Sequence, residues 1–265
     1  MARRTALITG ASSGIGAAFA EVFATQGFDL VISARRENRL RALASRLQHD
    51  HGTRVEVIPA DLCDPQARAR LCAEIDARGV AVDALVNNAG YGVAGTYNAS
   101  PWERHSAFLE IMVVAVAELT YRLVPGMVGR GYGRIINVAS LAGLLPAPGG
   151  HTLYAASKAF MIRFSEALGH EVACHGVHVT AVCPGFTFSE FHDVLGTREV
   201  VSTLPRFLWM DADSVARQGF DAVMAGRPVY VTGRVNATIA AVAKLLPQRA
   251  VEAIGRRTAR RYRKT

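Results

Sequence analysis

Two side chains in the segment LYAASKAF (residues 153–160) have types and spacing that suit acid–base chemistry. Tyr154 and Lys158 lie four residues apart, so they share one face if the segment is helical. A free phenol has a pKa of about 10 and is a poor base at neutral pH, but a neighbouring ammonium stabilises the phenolate. Such a tyrosine donates a proton to a carbonyl oxygen or removes one from an alcohol. Ser140, after a predicted strand, is placed to hydrogen-bond the same substrate oxygen.

A Tyr/Lys pair at this spacing also arises by chance, so the elements around it matter. Short apolar runs rich in β-forming residues alternate with longer helical patterns. The predicted strands are 5–9, 29–33, 54–58, 84–88, 134–138, 177–182 and 228–232, and crossover helices are predicted at 14–26, 37–51, 65–78 and 153–174. This alternation predicts an α/β fold, a single Rossmann-type doubly wound domain with a seven-stranded parallel sheet.

We expect the dinucleotide-binding and catalytic domain to span residues 1–233. Residues 234–265 are expected to be a basic, amphipathic, helical C-terminal extension of the same domain, divided at Pro247. In doubly wound sheets the ligand lies beyond the carboxyl ends of the strands. The loops after each strand are therefore where a site is expected.

The first predicted strand runs directly into a glycine-rich turn, TGASSGIG (residues 9–16). Gly10, Gly14 and Gly16 allow the backbone to approach a pyrophosphate, and the N-terminus of the following helix offers unpaired N–H groups. The spacing differs from the G-x-G-x-x-G pattern, so a plain glycine-rich turn stays an alternative. Its position after the first strand favours dinucleotide binding.

The second predicted strand ends at Ser33 and is followed by Ala34, Arg35 and Arg36. An acidic residue at this point accepts the ribose hydroxyls of NAD, whereas arginine suits a 2′-phosphate. The guanidinium of arginine presents a fixed fork of donors to phosphate oxygens. Glu37 is an alternative ribose contact, and surface arginines are common. The pattern favours NADP(H) over NAD(H).

Composition indicates an ordinary globular protein, since half of the 265 residues are hydrophobic and a fifth are charged. The apolar run before Gly10 is too short for a secretory segment or a membrane span, so a cytoplasmic location is expected. The four cysteines show no CxxC pairing and no histidine at metal-ligand spacing. We therefore expect buried free thiols and no metal site.

Taken in order, five features make the sequence similar to the short-chain dehydrogenase/reductase family: TGASSGIG (9–16), NNAG (87–90), Ser140, YAASK (154–158) and PG (184–185). The resemblance covers residues 5–233. It implies a Rossmann fold, a bound NAD(P)(H), and hydride transfer between the nicotinamide and a carbonyl or alcohol. It also implies a homodimer or homotetramer.

The resemblance implies roles by position. Tyr154 would be the general acid/base, Ser140 the partner of the substrate oxygen, and Lys158 the group that lowers the pKa of Tyr154 and holds the nicotinamide ribose. The implied cofactor contacts are Gly10, Ser12, Ser13, Gly14, Ile15 and Gly16 at the pyrophosphate, Arg35 and Arg36 at the 2′-phosphate, Asp61 and Leu62 at the adenine, Asn88, Ala89 and Gly90 beside the adenosine ribose, and Pro184, Gly185 and Ser189 at the carboxamide.

The helix after NNAG departs from the family pattern at Met112. Members of the family often carry an asparagine here, which helps to hold a water that links the active-site lysine to solvent. The register is set by Leu119-Thr120 and Pro125-Gly126-Met127. Methionine is a poor hydrogen-bonding partner for such a water. Two outcomes stay open: the relay is rerouted through another group, or the protein is a dinucleotide-binding or membrane-associated relative with impaired turnover.

Aromatic residues are concentrated between Gly185 and Met210, where Phe186, Phe188, Phe191, Phe207 and Trp209 predict a long loop that covers an apolar site. The segment 141–153 is expected to line the opposite wall. Both favour a small hydrophobic ketone, aldehyde or secondary alcohol as substrate. The alternative is that some of these rings pack into the core.

Basic residues dominate the end of the chain. The last ten residues carry six arginines and lysines and no acidic group, and the formal net charge of the whole chain is +8. A basic end of this kind can contact nucleic acid or an anionic membrane, or can simply be a solvated helix end. We expect no nucleic-acid partner, and the amphipathic extension leaves peripheral membrane contact open.

Overall fold

The computed structural model describes residues 3–93, 95–147, 150, 152–191 and 203–246. Nine strands occur in these ranges: β1 Thr5–Thr9, β2 Asp29–Ser33, β3 Val55–Val57, β4 Val82–Asn87, β5 Gly133–Val138, β6 Val177–Cys183, β7 Phe186–Phe188, β8 Trp209–Asp211 and β9 Val229–Val231. The α-helices of the same ranges are α1 Gly14–Thr25, α2 Glu37–His51, α3 Pro65–Ala77, α4 Trp102–Leu109, α5 Ala115–Gly129, α6 Thr152–Val172, α7 Ala212–Met224 and α8 Arg234–Leu245.

Seven of these strands form one parallel sheet in the order β3-β2-β1-β4-β5-β6-β9. They are the seven strands predicted from the sequence, so the predicted fold class is confirmed. Strand order reverses at β1, which pairs with β2 on one side and β4 on the other. A crevice at such a reversal is where doubly wound sheets bind ligands.

The core lies on both faces of this sheet because successive side chains of a strand point in opposite directions. In β1, Ala6 and Ile8 pack with α1, α2 and α7, whereas Leu7 packs on the other face with α3, α5 and α6. All three side chains are fully buried. This two-sided burial is the reason why the strands are continuous apolar runs in the sequence.

A buried polar network fixes the central strands to the helices behind them. Asn87 Nδ2 donates to Asn137 Oδ1 at 2.8 Å and to Thr120 Oγ1 at 3.1 Å, which joins β4, β5 and α5. Asn137 Nδ2 donates to Ser165 Oγ at 2.8 Å on α6. Buried amides are costly unless they are paired, so this network fixes the register of the two strands that lead into the site.

The segment after β6 differs from the prediction of a long loop. β7 and β8 pair in parallel as a separate two-stranded sheet, in which Phe186 lies opposite Trp209. Between them, residues 192–202 lie outside the described ranges. These strands are only three residues long, which is too short to produce a readable alternation of apolar and polar residues.

The cysteines of the described chain are free thiols, but not all are buried as expected. Cys72 and Cys183 are buried, Cys63 is half-buried and Cys174 is exposed, because it lies in the single helical turn between α6 and β6. No group of three histidine, cysteine, aspartate or glutamate side chains in the described ranges is arranged to hold a metal. None of the helices in those ranges is long and apolar enough to cross a membrane.

Candidate active site

A cleft of about 910 Å³ opens at the carboxyl edge of the sheet. Its volume is in the range of small-molecule binding pockets. The glycine-rich turn between β1 and α1 lines one end, and Ser140, Tyr154 and Lys158 line the other. The cleft therefore brings together the two groups of residues that the sequence singled out for cofactor binding and for catalysis.

The glycine-rich turn takes a shape that only glycine allows. Gly10 and Gly14 have φ angles of +67° and +55°, in the left-handed region. A Cβ on Gly16 would collide with the Gly10 carbonyl oxygen and the Asn88 amide. Ser13 precedes α1 without a side-chain capping hydrogen bond. The first N–H groups of α1 consequently lack a side-chain acceptor and form a cradle that suits an anion.

Hydrogen bonds of Thr9 and Asn88 connect the carboxyl ends of β1 and β4 next to this turn. The Thr9 hydroxyl donates to the Val86 carbonyl at 3.0 Å and accepts from the backbone N–H groups of Asn88 and Ala89 at 3.0 and 3.1 Å. Asn88 Nδ2 donates to the Thr9 carbonyl at 3.0 Å. The Asn88–Ala89–Gly90 segment is thus held rigidly against the glycine-rich turn.

The two arginines after β2 have different environments. Arg36 donates from Nε and Nη2 to Ser12 Oγ at 3.1 and 2.9 Å, and from Nη2 to Ser13 Oγ at 2.7 Å. Arg35 lines the cleft, is exposed, and has no hydrogen-bond or ion-pair partner within the part of the chain that is described. Both arginines lie at the mouth of the cleft, beside the glycine-rich turn.

The predicted adenine-pocket residues follow β3. Asp61 Oδ1 accepts from the Cys63 backbone N–H at 3.0 Å. The Leu62 carbonyl accepts from Arg68 Nη1 at 2.7 Å. Arg68 is almost fully buried, so its fixed guanidinium determines the path of this loop. Asp61 and Leu62 both line the cleft.

The three predicted catalytic residues come from two elements that pack closely. Ser140 ends the segment after β5, and its Oγ accepts from the Ala142 N–H at 3.1 Å. Tyr154 and Lys158 project from the start of α6, and Ser140 hydrogen-bonds Tyr154. A Cβ on Gly143 would lie only 2.7 Å from the backbone of Lys158, so glycine is what lets the serine segment approach α6.

Lys158 is buried beside the tyrosine. Its Nζ donates to the Val138 carbonyl at 2.7 Å and lies 5.7 Å from the centroid of the Tyr154 ring. Burial lowers the pKa of Lys158 to about 7. Burial also raises the pKa of Tyr154, and the hydrogen bond with Ser140 only partly offsets this. The direction for Tyr154 is opposite to that expected from a neighbouring lysine, because loss of hydration outweighs the favourable contacts.

Met112 lies at a break in the helix, not in a continuous one. Residues Glu110–Val114 form a π-helical turn between α4 and α5, and the Ala115 N–H bonds the Glu110 carbonyl. Met112 is 1% exposed and packs with Phe108 and Met161, and it lines the cleft. A Cβ on Gly90 would approach Met112 Sδ to 2.6 Å, so the thioether lies directly on the NNAG segment.

The third side of the cleft is the segment after β6. Pro184, Gly185 and Ser189 line it, as does Asn236 of α8. Asn236 is buried and lies so close to Gly185 that any Cβ there would collide with its amide. The sequence analysis did not single out Asn236, so its place behind Gly185 was missed.

The aromatic residues of this region divide into two groups. Phe186 and Phe191 line the cleft, and the Phe191 ring lies 5.7 Å from that of Tyr154. By contrast, Phe188 stacks on Trp209 with 4.7 Å between ring centroids, and Phe207 is 69% exposed. Phe186 and Phe191 therefore lie where the sequence predicted a cover over the site, whereas Phe188, Phe207 and Trp209 do not line the cleft. The opposite wall includes Leu141, Ala142, Leu145 and Pro146 from the segment 141–153, of which residues 148, 149 and 151 lie outside the described ranges.

Comparison with known proteins gives a consistent result. A model of the family described as short chain dehydrogenase matches residues 4–199. An uncharacterized oxidoreductase of Myxococcus xanthus is 35% identical over 260 residues, which cover 97% of this chain and 98% of that protein.

Two solved structures have the same architecture at similar identity. A short-chain dehydrogenase from Sphingobium yanoikuyae in complex with NADPH gives a TM-score of 0.78 at 35% identity, covering 91% of this chain and 94% of that one. A bulky-bulky ketone specific alcohol dehydrogenase from Comamonas testosteroni gives 0.75 at 30% identity, covering 91% and 93%.

The close approach at Gly16 predicts a stability defect in Gly16→Ala. The added methyl group meets backbone and a fixed amide, so we expect the free energy of unfolding in urea to fall by about 1–3 kcal/mol. Gly129→Ala is the matched control, because a Cβ at Gly129 meets no atom within 4 Å and the residue is helical. Equal stability of the two variants would contradict this account of the turn.

Proposed function

Since this chain belongs to the short-chain dehydrogenase/reductase family of oxidoreductases, we propose that it transfers a hydride between NADP(H) and a hydrophobic ketone, aldehyde or secondary alcohol. The observation that carries the proposal is the Ser140–Tyr154–Lys158 group on one wall of a cleft that also contains the glycine-rich turn. The three side chains have the types and contacts that proton transfer at a substrate oxygen requires.

Tyr154 acts as the general acid/base in this proposal. Its phenol donates a proton to the carbonyl oxygen in reduction and accepts one from the alcohol in oxidation. Ser140, already hydrogen-bonded to Tyr154, orients the same oxygen. Lys158 Nζ lies 5.7 Å from the centroid of the Tyr154 ring, and its pKa of about 7 lets it exchange a proton near neutral pH.

The residues around the glycine-rich turn fit a dinucleotide. Gly10 and Gly14 hold the left-handed backbone that the turn needs, a Cβ at Gly16 would collide with the Gly10 carbonyl oxygen, and α1 begins without a side-chain cap. We propose that the cofactor contacts implied by the family resemblance hold NADP(H), with Arg35 and Arg36 at the 2′-phosphate. When bound, the cofactor supplies the hydride, and its oxidised ring supplies a positive charge that lowers the pKa of Tyr154. The likeness to an NADPH-bound dehydrogenase supports the choice of NADP(H).

The walls of the cleft support a hydrophobic substrate. Leu145, Leu208, Ile239 and Val242 are among its lining residues. The likeness to a ketone-specific alcohol dehydrogenase favours a carbonyl or secondary alcohol over an acid or a sugar. A panel of ketones, aldehydes and alcohols, assayed with both nicotinamide cofactors, would identify the preferred class.

We propose that proton exchange at Lys158 does not depend on a side-chain amide at position 112. At the π-helical turn Glu110–Val114 the Ala115 N–H bonds the Glu110 carbonyl, five residues back instead of four, and we propose that this shift frees a carbonyl of the turn. Such a carbonyl is an acceptor for water that needs no asparagine. The alternative is a dinucleotide-binding relative with impaired turnover.

Association with partners remains a proposal. Trp102, Val114 and Tyr121 on α4, the π-turn and α5 are large exposed apolar residues, with Tyr121 80% exposed. Surfaces of this kind support the expected homodimer or homotetramer, whose mass sedimentation velocity would measure. Peripheral membrane contact through the extension 234–265, of which residues 247–265 lie outside the described ranges, stays a prediction, and so does a cytoplasmic location.

Tyr154→Phe tests the catalytic assignment. Removing the hydroxyl while keeping the ring should lower kcat/KM for carbonyl reduction by about 100- to 10,000-fold, the usual contribution of a general acid. The dissociation constant for NADP⁺, measured by calorimetry, should change little. Tyr230→Phe removes a hydroxyl from a tyrosine of β9 that does not line the cleft and serves as the control. Unchanged turnover in Tyr154→Phe would eliminate this mechanism.

Arg35→Ala tests the cofactor preference. Loss of a charge-assisted contact to phosphate should weaken NADP⁺ binding by about 10- to 100-fold and leave NAD⁺ binding nearly constant. Arg41→Ala is the control, because Arg41 pairs with Glu37 along α2 and does not line the cleft. The assignment fails if both nucleotides weaken equally or if NADP⁺ is unaffected.

Met112→Asn tests the departure from the family pattern. We expect kcat to stay within about twofold of wild type, although a buried amide lowers stability. Met112→Leu is the control for packing, since the two side chains have similar volume. A tenfold or larger gain in kcat for Met112→Asn alone would show instead that the methionine impairs the proton relay.

A further inference from the structure

Glu190, in the segment after β7, forms ion pairs with the arginines that follow β2. Its Oε2 pairs with Arg36 Nη1 at 2.7 Å, and its Oε1 pairs with Arg39 Nη1 at 2.5 Å. It follows Ser189 directly and lines the cleft. These contacts join residues more than 150 positions apart in the sequence.

The carboxylate of Glu190 is surrounded by hydrogen-bond donors of the kind that bind anions. Arg36 and Arg39 supply two guanidinium groups, and the Ser13 hydroxyl also bonds Glu190. Hydrogen bonds from Arg39 and Arg36 lower the pKa of Glu190 to about 2, so it is ionised at any physiological pH. Two guanidinium forks and a hydroxyl are equally a set of donors for a phosphate monoester.

The guanidinium of Arg36 is already shared. Its Nε and Nη2 point to Ser12 and Ser13, and its Nη1 points to Glu190. A phosphate that takes Arg36 therefore competes with Glu190 for the same donor and is repelled by its negative charge. Arg35, one position earlier, has no such anion against it in the described part of the chain.

We propose that Glu190 is a specificity-determining residue, an internal anion that competes with the 2′-phosphate of NADP(H) for Arg36 and Arg39. The inference rests on the proposed function, which requires that this chain bind NADP(H). NAD(H) has no 2′-phosphate and does not meet this competition. Glu190 consequently reduces the ratio of NADP(H) affinity to NAD(H) affinity that Arg35 and Arg36 would otherwise give.

Glu190→Gln tests this inference because it removes the charge and keeps the shape. Dissociation constants for NADP⁺, NAD⁺ and adenosine 2′,5′-bisphosphate would be measured by calorimetry at low salt, with no turnover involved. The two 2′-phosphate ligands should bind about threefold to tenfold more tightly to the variant, as expected for two exposed ion pairs. NAD⁺ should change by less than about twofold, and the gain should shrink as salt screens the charges.

Glu74→Gln is the matched control, since Glu74 forms an exposed ion pair with Arg78 on α3 and does not line the cleft. It should leave all three constants unchanged. If Glu190→Gln weakens the binding of NADP⁺ and NAD⁺ equally, Glu190 contributes to holding both cofactors and the inference is overturned. No change in the NADP⁺/NAD⁺ ratio also overturns it. Failure of the wild-type chain to bind either dinucleotide would overturn the proposed function and, with it, this inference.

Discussion

The Lys158 ammonium is buried against the Val138 carbonyl, and much of the site follows from that constraint. A buried charge is costly unless hydrogen bonds replace its water, so β5 and α6 must be held at a fixed spacing. The Asn137–Ser165 bond fixes this spacing one residue before Val138, and the absent Cβ of Gly143 lets the Ser140 segment approach α6. Tyr154 gains its contact with Ser140 from the same arrangement.

A second buried cation fixes the opposite wall of the cleft. Arg68 bonds the Leu62 carbonyl, and it also pairs with Glu118 at 2.6 Å and Glu110 at 3.0 Å. Glu110 begins the π-helical turn that contains Met112. One guanidinium thus connects the predicted adenine pocket to the start of the π-helical turn at Glu110 and to α5 at Glu118.

How far the sequence predicts this structure depends on the range of the interactions. The seven strands of the main sheet, the glycine-rich turn and the Tyr154–Lys158 spacing are local patterns, and the fold class was confirmed. The π-helical turn was missed because four of its five residues, Ile111 to Val114, are apolar and their pattern fits a continuous buried helix. The position of Asn236 behind Gly185 is set by the packing of α8, and no local pattern in the sequence predicts it.

Charge composition is equally uninformative about which arginine is available to a ligand. Arg35 and Arg36 are identical in type and adjacent, and the sequence gives no reason to separate them. The fold separates them, because Glu190 and the hydroxyls of Ser12 and Ser13 occupy the fork of Arg36. The positive electrostatic potential at a bound phosphate therefore cannot be inferred from two adjacent arginines beside a glycine-rich turn. That potential is the sum over the arginines and the carboxylates that the fold brings to them, and here Glu190, from the segment after β7, contributes to it.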